Sequence, residues 1–144
     1  MDCHPYDRRM ADVARTVELG TLLDGGLAPA IFAIVDRGVR GRPELATALR
    51  AEVELNLGDR YPAVRVVFGD PAVLVEDGPA AAPDLRISGE LPDLVSLMVA
   101  PLVRGLPNPI DRRGRAALGM VAQGRIRVEG KLGLLRRFLG VIGV

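Results

Sequence analysis

The chain has 144 residues, a size at which one domain buries enough apolar surface to fold without disulfides or metal ions. Its composition is 49% hydrophobic and 26% charged, with only 3% aromatic residues and no tryptophan, so the core must be mainly aliphatic. A net charge of +1 gives no overall attraction for nucleic acid, and no apolar run approaches the ~20 residues of a membrane-spanning helix. We expect a cytoplasmic, single-domain protein over residues 1–144, with residues 1–10 as a loose tail.

The N-terminal third of the chain has helical patterns. Apolar residues between Val13 and Leu23 recur close to helical spacing, and Gly25-Gly26 would end that helix. A second helix is predicted over Leu27 to Val39, and Pro43 to Leu49 fits one further helical turn.

The period then changes to that of a β-strand. From Ala51 to Leu57 apolar residues alternate with glutamates and an asparagine, which is the clearest strand pattern in the sequence. Turn-forming residues separate it from two more predicted strands, Ala63 to Phe68 and Ala72 to Val75, in an antiparallel meander. A fourth short strand is predicted around Leu85 to Ser88.

Helices return in the last third. We predict a helix that starts near Glu90, a break over Gly105 to Pro109, and a short helix from Ala116 to Ala122. A fifth strand around Ile126 to Val128 and a final helix from Leu132 to Ile142 follow. This order predicts an α+β fold with a five-stranded, mainly antiparallel sheet covered on one face by helices.

Two segments carry a family resemblance. Asp84 to Gly89, followed by Pro92 to Met98, resembles the strand and acidic, leucine-rich helix of sterol carrier protein type two domains. Gly119 to Leu134 is similar to the closing motif of that family, in which a helix, a strand of alternating basic and apolar residues, a glycine and an apolar helix follow in order. With the strands before them, the resemblance covers about two thirds of the chain, from Leu49 to Phe138.

The resemblance implies an apolar cavity between sheet and helices that holds a sterol, fatty-acyl or isoprenoid-type lipid, with no cofactor and no catalysis. On this interpretation the lipid would contact apolar residues of the last three helices, namely Leu94, Leu97, Met98, Leu118, Met120, Val121, Leu132, Leu135 and Phe138. Three arginines, Arg112, Arg113 and Arg115, are the candidates for contact with a lipid head group or an anionic membrane surface. The stretch from Pro101 to Arg115 is longer than the usual link between these helices in the family, so the resemblance does not predict the shape of the cavity mouth.

Catalytic and metal chemistry have little support in the residues. His4 is the only histidine and Cys3 the only cysteine, and both lie in the N-terminal tail. Zinc needs several such ligands converging, and Gly130 to Gly133 lacks the spacing of a phosphate-binding loop. We therefore expect no enzyme, no metal site and no nucleic-acid partner.

Two other functions remain compatible with the same pattern. The chain could present a lipid precursor, such as an isoprenoid quinone intermediate, to a separate enzyme complex as its partner. It could also be an interaction module without ligand, whose apolar helix from Leu132 to Ile142 docks on another protein or on a second copy as a homodimer. In either of these functions, the apolar helix faces could simply form the hydrophobic core.

Overall fold

The computed structural model describes residues 15–70 and 72–143. The predicted tail with Cys3 and His4 lies outside the described residues. The helices are α1 (Ala28–Gly41), α2 (Pro43–Ala48), α3 (Leu91–Val99), α4 (Arg112–Ala122) and α5 (Leu132–Ile142). The strands are β1 (Thr16–Leu19), β2 (Ala51–Asn56), β3 (Val64–Phe68), β4 (Ala72–Asp77), β5 (Leu85–Gly89), β6 (Leu102–Val103), β7 (Leu106–Pro107) and β8 (Ile126–Gly130).

The predicted α+β architecture is confirmed, with one strand more than expected in the main sheet. Six strands form the main sheet in the order β1-β4-β3-β2-β5-β8, and β6 and β7 form a separate hairpin. The meander β2-β3-β4 and the pair β5-β8 are antiparallel, as expected, whereas β1-β4 and β2-β5 are parallel. The sheet is therefore mixed rather than mainly a meander.

The helix predicted between Val13 and Leu23 is wrong. Within that range Thr16–Leu19 form β1, where Val17 pairs with Val73 and Leu19 with Val75 of β4. The apolar spacing is ambiguous over so few residues, and pairing with a buried strand satisfies the backbone groups of β1. Tertiary contact thus overrides the local period.

The sheet buries one face under the helices because its strands alternate as the sequence predicts. Val53, Val66 and Ile87 point inward and are at most 2% exposed. Helix α1 crosses α5 so closely that a Cβ at Gly38 would collide with the carbonyl oxygen of Val141. The core is therefore a single layer of aliphatic side chains between the sheet and these helices.

Helix α4 begins four residues earlier than the predicted start at Ala116. Asp111 is its N-cap, and its carboxylate accepts a hydrogen bond of 2.9 Å from the Arg113 backbone N–H. An N-terminal cap of this kind satisfies one of the free N–H groups of the first turn, so the helix extends into the arginine-rich segment. The other predicted helices after residue 27 match the structure to within a few residues.

Candidate functional site

An apolar space lies between the sheet and helices α3 and α5. It is lined by three residues of β2, the chain after it and β5, three of α3 and three of α5, namely Leu55, Leu57, Ile87, Leu94, Leu97, Met98, Phe138, Leu139 and Ile142. Its volume is about 10 Å³, roughly the space of a single water molecule. In this structure the helices and the sheet are therefore closed on each other.

Four of the nine predicted lipid contacts line this space, namely Leu94, Leu97, Met98 and Phe138. Phe138 is 1% exposed and meets Phe68 of β3 edge to face, with ring centroids 6.0 Å apart. Leu135 is buried in the same core without lining the space, and Met120 is half-buried against that core. The sequence thus identified the helix surfaces that enclose the apolar interior.

The remaining three predicted contacts lie elsewhere. Leu118 and Val121 of α4 are exposed, because that helix turns Gly114 and Ala117 toward the core instead. Leu132, the first residue of α5, is 58% exposed. The structure does not bring these side chains to the apolar space, and the role of all nine residues as lipid contacts stays a prediction.

The predicted head-group arginines cluster at the start of α4. Arg112, Arg113 and Arg115 are all exposed. One guanidinium nitrogen of Arg115 donates to the carbonyl oxygen of Ile110 over 2.9 Å, and Nε of Arg113 lies 3.9 Å from Asp111. They do not border the apolar space, so they could meet a lipid only at the protein surface.

A groove that the sequence did not suggest lies on the opposite side of α5. Its volume is about 480 Å³, within the usual range for small-molecule sites. It is lined by Leu45, Ala48, Arg104, Gly105, Arg136, Arg137 and Gly140. The one signal in the sequence is the adjacent pair Arg136-Arg137, which interrupts the apolar pattern of the last helix.

The outer face of the sheet carries ion pairs that stabilise the fold. The Glu54 side chain is only 6% exposed, and Arg86 lies 3.0 Å from its carboxylate. Burial acts to raise the pKa of Glu54, but hydrogen bonds from the Ala80 N–H, the Asn56 amide and Arg86 outweigh it and hold that pKa below its ordinary value. A carboxylate so fully engaged is a structural anion rather than a free acid–base group.

A second group of charges joins β2, β3 and β4. Arg65 of β3 forms an ion pair with Glu52 on one side and with Glu76 on the other, the latter over 2.5 Å. A hydrogen bond from the Thr21 N–H, together with Arg65, holds the pKa of Glu76 below its ordinary value. These pairs fix the register of the strands that support the apolar interior.

Residues 15–70 and 72–143 contain no group of three or more histidine, cysteine, aspartate or glutamate side chains that could hold a metal ion. None of the helices in this part of the chain is long and apolar enough to cross a membrane.

Comparisons with known proteins identify the fold. No protein-family model and no curated protein matches the chain. Among solved structures, it is similar to the ubiquinone synthesis protein UbiJ-SCP2, at 17% identity and a TM-score of 0.57, over 81% of this chain and 92% of that one. Sterol carrier protein 2 from Yarrowia lipolytica in its apo form gives 16% identity and a TM-score of 0.54, over 83% and 92% of the two chains. The chain has the sterol carrier protein 2 fold.

A third structure agrees with this assignment. The sterol carrier protein domain 2 of Helicoverpa armigera, determined in solution, gives 14% identity and a TM-score of 0.53, over 79% of this chain and 87% of that one. In the sterol carrier protein 2 fold of this chain, the two segments that carry the resemblance are neighbours, since Ile87 of β5 pairs with Val128 of β8. The link from Pro101 to Arg115 contains the β6-β7 hairpin, which forms one wall of the 480 Å³ groove beside α5.

Proposed function

We propose that the protein is a non-catalytic carrier that holds a sterol, fatty-acyl or isoprenoid-type lipid between the sheet and helices α3 and α5. The observation that carries this proposal is the apolar space there, whose nine lining side chains include no polar group. The similarity in fold to two sterol carrier proteins supports the carrier function. An aliphatic wall distinguishes one methylene more or less by only ~1–3 kcal/mol, so we expect broad chain-length tolerance. The cytoplasmic location predicted from the sequence belongs to this proposal.

A lipid can enter only if the closed space opens. An empty cavity of even ~300 Å³ would cost about 7 kcal/mol at ~24 cal/mol per Å³, so closure is the stable state of the free chain. Burial of about ten methylenes returns ~8 kcal/mol, which is enough to part the helices. We expect α3 to move about its first turn, because Asp93 is held there by Arg125 at 2.6 Å. Met98 suits such a wall because its unbranched side chain adapts to different shapes.

Lipid binding, measured with and without a side chain that fills the apolar space, tests this proposal. We expect native mass spectrometry of the freshly purified protein to show a lipid that is lost on denaturation, and the delipidated chain to take up a fluorescent fatty acid. Leu97→Trp should lower that affinity about tenfold or more, because Leu97 is 4% exposed and lines the space. Val95→Trp is the matched control, since Val95 lies on the same helix and is 44% exposed.

Overpacking costs about 1–3 kcal/mol, so circular dichroism must first show that Leu97→Trp is folded. If it is not, Met98→Trp takes its place, because Met98 lines the same space and is only partly buried. Equal uptake by the filled variant and the Val95→Trp control would contradict the proposed site. Absence of both bound lipid and fatty-acid uptake in the unmodified chain would contradict the carrier function itself.

A second candidate function is that of an accessory factor that presents a quinone precursor to an enzyme partner. The similarity to the ubiquinone synthesis protein, at a TM-score of 0.57, favours this candidate. Lipid extraction distinguishes the two functions, since an isoprenoid precursor together with a stable enzyme partner in a pull-down would favour the accessory role. A mixture of fatty acids with no stable partner would favour the carrier.

An interaction module without ligand has less support. Its proposed docking surface was the apolar side of α5, but Phe138, Leu139 and Ile142 are at most 3% exposed in the core of the same chain. That helix could dock on a second copy only after leaving its own fold. A homodimer through this face would therefore require unfolding of the core, and a monomer by sedimentation at high concentration is the expected result.

Transient contact with a membrane surface is part of the carrier proposal. Ile110 is 83% exposed and is followed by Arg112 and Arg113, a combination that suits insertion of one apolar side chain among anionic head groups. We expect the protein to sediment with vesicles that contain phosphatidylserine and not with phosphatidylcholine alone. Ile110→Ser with Arg112→Gln should abolish sedimentation, and equal sedimentation with both vesicle types would refute a charge-dependent contact.

A further inference from the structure

The groove on the outer side of α5 is separate from the apolar interior. Arg136, Arg137 and Gly140 line it, whereas Leu135, Phe138 and Leu139 of the same helix face the core. Helix α2 supplies an apolar floor through Leu45 and Ala48, and the turn between β6 and β7 forms the third wall. The absence of a side chain at Gly140 keeps the floor open beside Leu45.

Three arginines line this groove without an acidic partner. Arg104, Arg136 and Arg137 are exposed, and no acidic residue is among the lining side chains. Across the described ranges, the ion pairs of the protein involve none of these three arginines. Nε of Arg136 instead donates to the carbonyl oxygen of Arg104 over 3.1 Å, which joins the hairpin turn to α5.

The backbone places Arg104 at the groove against its own preference. Its φ is 54°, which makes it the only non-glycine residue in the left-handed region over residues 15–70 and 72–143. Gly105, next in the turn, also has a positive φ of 81°, and two-residue hairpin turns of this kind favour asparagine or glycine at both positions. A Cβ at Gly105 would collide with the Arg136 backbone, so the turn is pressed directly onto α5. Residues held in this conformation are strained, and such residues cluster at ligand-binding and active sites.

We propose that this groove binds the anionic head group of a single-chain amphiphile, a carboxylate or phosphate, at Arg104, Arg136 and Arg137. The planar guanidinium matches both groups through paired hydrogen bonds. The first methylenes of the chain lie on Leu45 and Ala48, which gives the site its preference for an amphiphile over a free anion. The site goes beyond the carrier function, because the groove does not depend on a lipid in the apolar interior. It would exist even if the protein carried no lipid there.

Calorimetric titration of the protein with four probes tests the ligand class, and parallel titration of Leu97→Trp, whose apolar interior is filled, isolates binding in the groove. Decanoate and decyl phosphate carry the two anionic groups, decanol lacks the charge, and inorganic phosphate lacks the chain. We expect at least one anionic amphiphile to bind at least tenfold more tightly than decanol and inorganic phosphate, with affinity falling as sodium chloride rises. Equal affinity for decanol, or for inorganic phosphate alone, would overturn the proposal.

Variants locate the binding. Arg104→Gly removes a guanidinium while it suits the positive φ, and Arg137→Gln removes another from α5; each should weaken binding about tenfold, the usual effect of losing one charged hydrogen bond. Arg60→Gln, at an exposed turn outside the groove, is the matched control and should bind as the unmodified chain does.

Leu97→Trp separates this site from the carrier site. We expect that variant to lose uptake of a long fatty acid in the interior and to keep the groove affinity for the ten-carbon probe. If Leu97→Trp loses probe binding and the arginine variants keep it, the amphiphile binds in the interior and the groove site is overturned. Self-association that disappears in Arg137→Gln would also overturn it, since a second copy of the chain would then occupy the groove.

Discussion

Removal of the Phe138 ring is the sharpest test of the packed interior. The side chain is 1% exposed, lines the apolar space and meets Phe68 edge to face at 6.0 Å with an interplanar angle of 83°. A buried Phe→Ala change costs about 3–5 kcal/mol, of which the aromatic pair accounts for roughly 0.5–1.5 kcal/mol. Against a total stability of about 5–15 kcal/mol, Phe138→Ala should remain folded at low temperature.

Urea denaturation at 10 °C measures this loss directly, and the melting temperature should fall by about 6–20 °C. The cavity left by the ring is lined by leucine and isoleucine, so we expect it to stay dry and to bind benzene. Benzene at about 100 times its dissociation constant would restore ~2.7 kcal/mol in Phe138→Ala and little in the unmodified chain.

Phe32→Ala provides the control for this experiment. Phe32 lies on α1 and is only partly buried against the core, so the same chemical change should cost much less there and create no benzene site. A loss of under about 1 kcal/mol for Phe138→Ala would be far below the range for a packed ring. That result, or equal losses in the two variants, would refute the packing described between α5 and the sheet.

Three further predictions concern other parts of the fold. Gly38→Ala should lower the free energy of unfolding by about 1–3 kcal/mol, because its Cβ meets the Val141 carbonyl, whereas Gly41→Ala on the same helix has open space and should cost nothing. The pKa of Glu54 is lower in the folded chain than its ordinary value, so its stabilisation is present above that ordinary value and is lost as the pH falls through the folded pKa; Glu54→Gln should therefore flatten the fall in urea midpoint below about pH 5. Arg104→Gly should raise the free energy of unfolding by between zero and about 1.5 kcal/mol, because relief of the left-handed strain outweighs the conformational entropy that glycine adds to the unfolded chain. A clear fall in melting temperature would contradict the strain.

Local patterns predicted most elements correctly. The alternation from Ala51 to Leu57 depends on which side chains face the core, and β2 has that face buried. The 3.6-residue period of the last helix likewise reflects one buried side, and α5 runs from Leu132 to Ile142 as predicted. A residue pattern predicts a helix or strand whenever burial of one side determines both the pattern and the element.

Long-range pairing could not be predicted in the same way. Strand β1 has four residues, mostly exposed, and is stabilised by β4, whose register partner for Thr16 is Ala72. No property of the segment around Val17 carries that information. The parallel pairing of β2 with β5 was missed for the same reason, although both strands were predicted.

The candidate site shows the same division. The positions of Leu94, Leu97, Met98 and Phe138 at the apolar space could be predicted because each lies on the apolar side of a recognisable helix, and these sides meet in the fold. The groove was missed because α2, the hairpin turn at Arg104 and α5 are distant in sequence and meet only in the folded chain.

The strand order of the main sheet has a consequence for how the chain folds. Strands β2, β3 and β4 are joined by short turns, whereas β1 pairs with a strand more than fifty residues away and β5 must cross to the far side of β2. Distant pairings form slowly, because a long loop must close before any contact rewards it. The three central strands should therefore assemble first and serve as a template, to which β1 is added on one flank and β5 with β8 on the other. Pulse-labelling hydrogen exchange would then show the amide of Val66 in β3 protected earlier than that of Gly20, which donates to the Val75 carbonyl where β1 joins β4, so that the two flanks of the sheet would form after its centre.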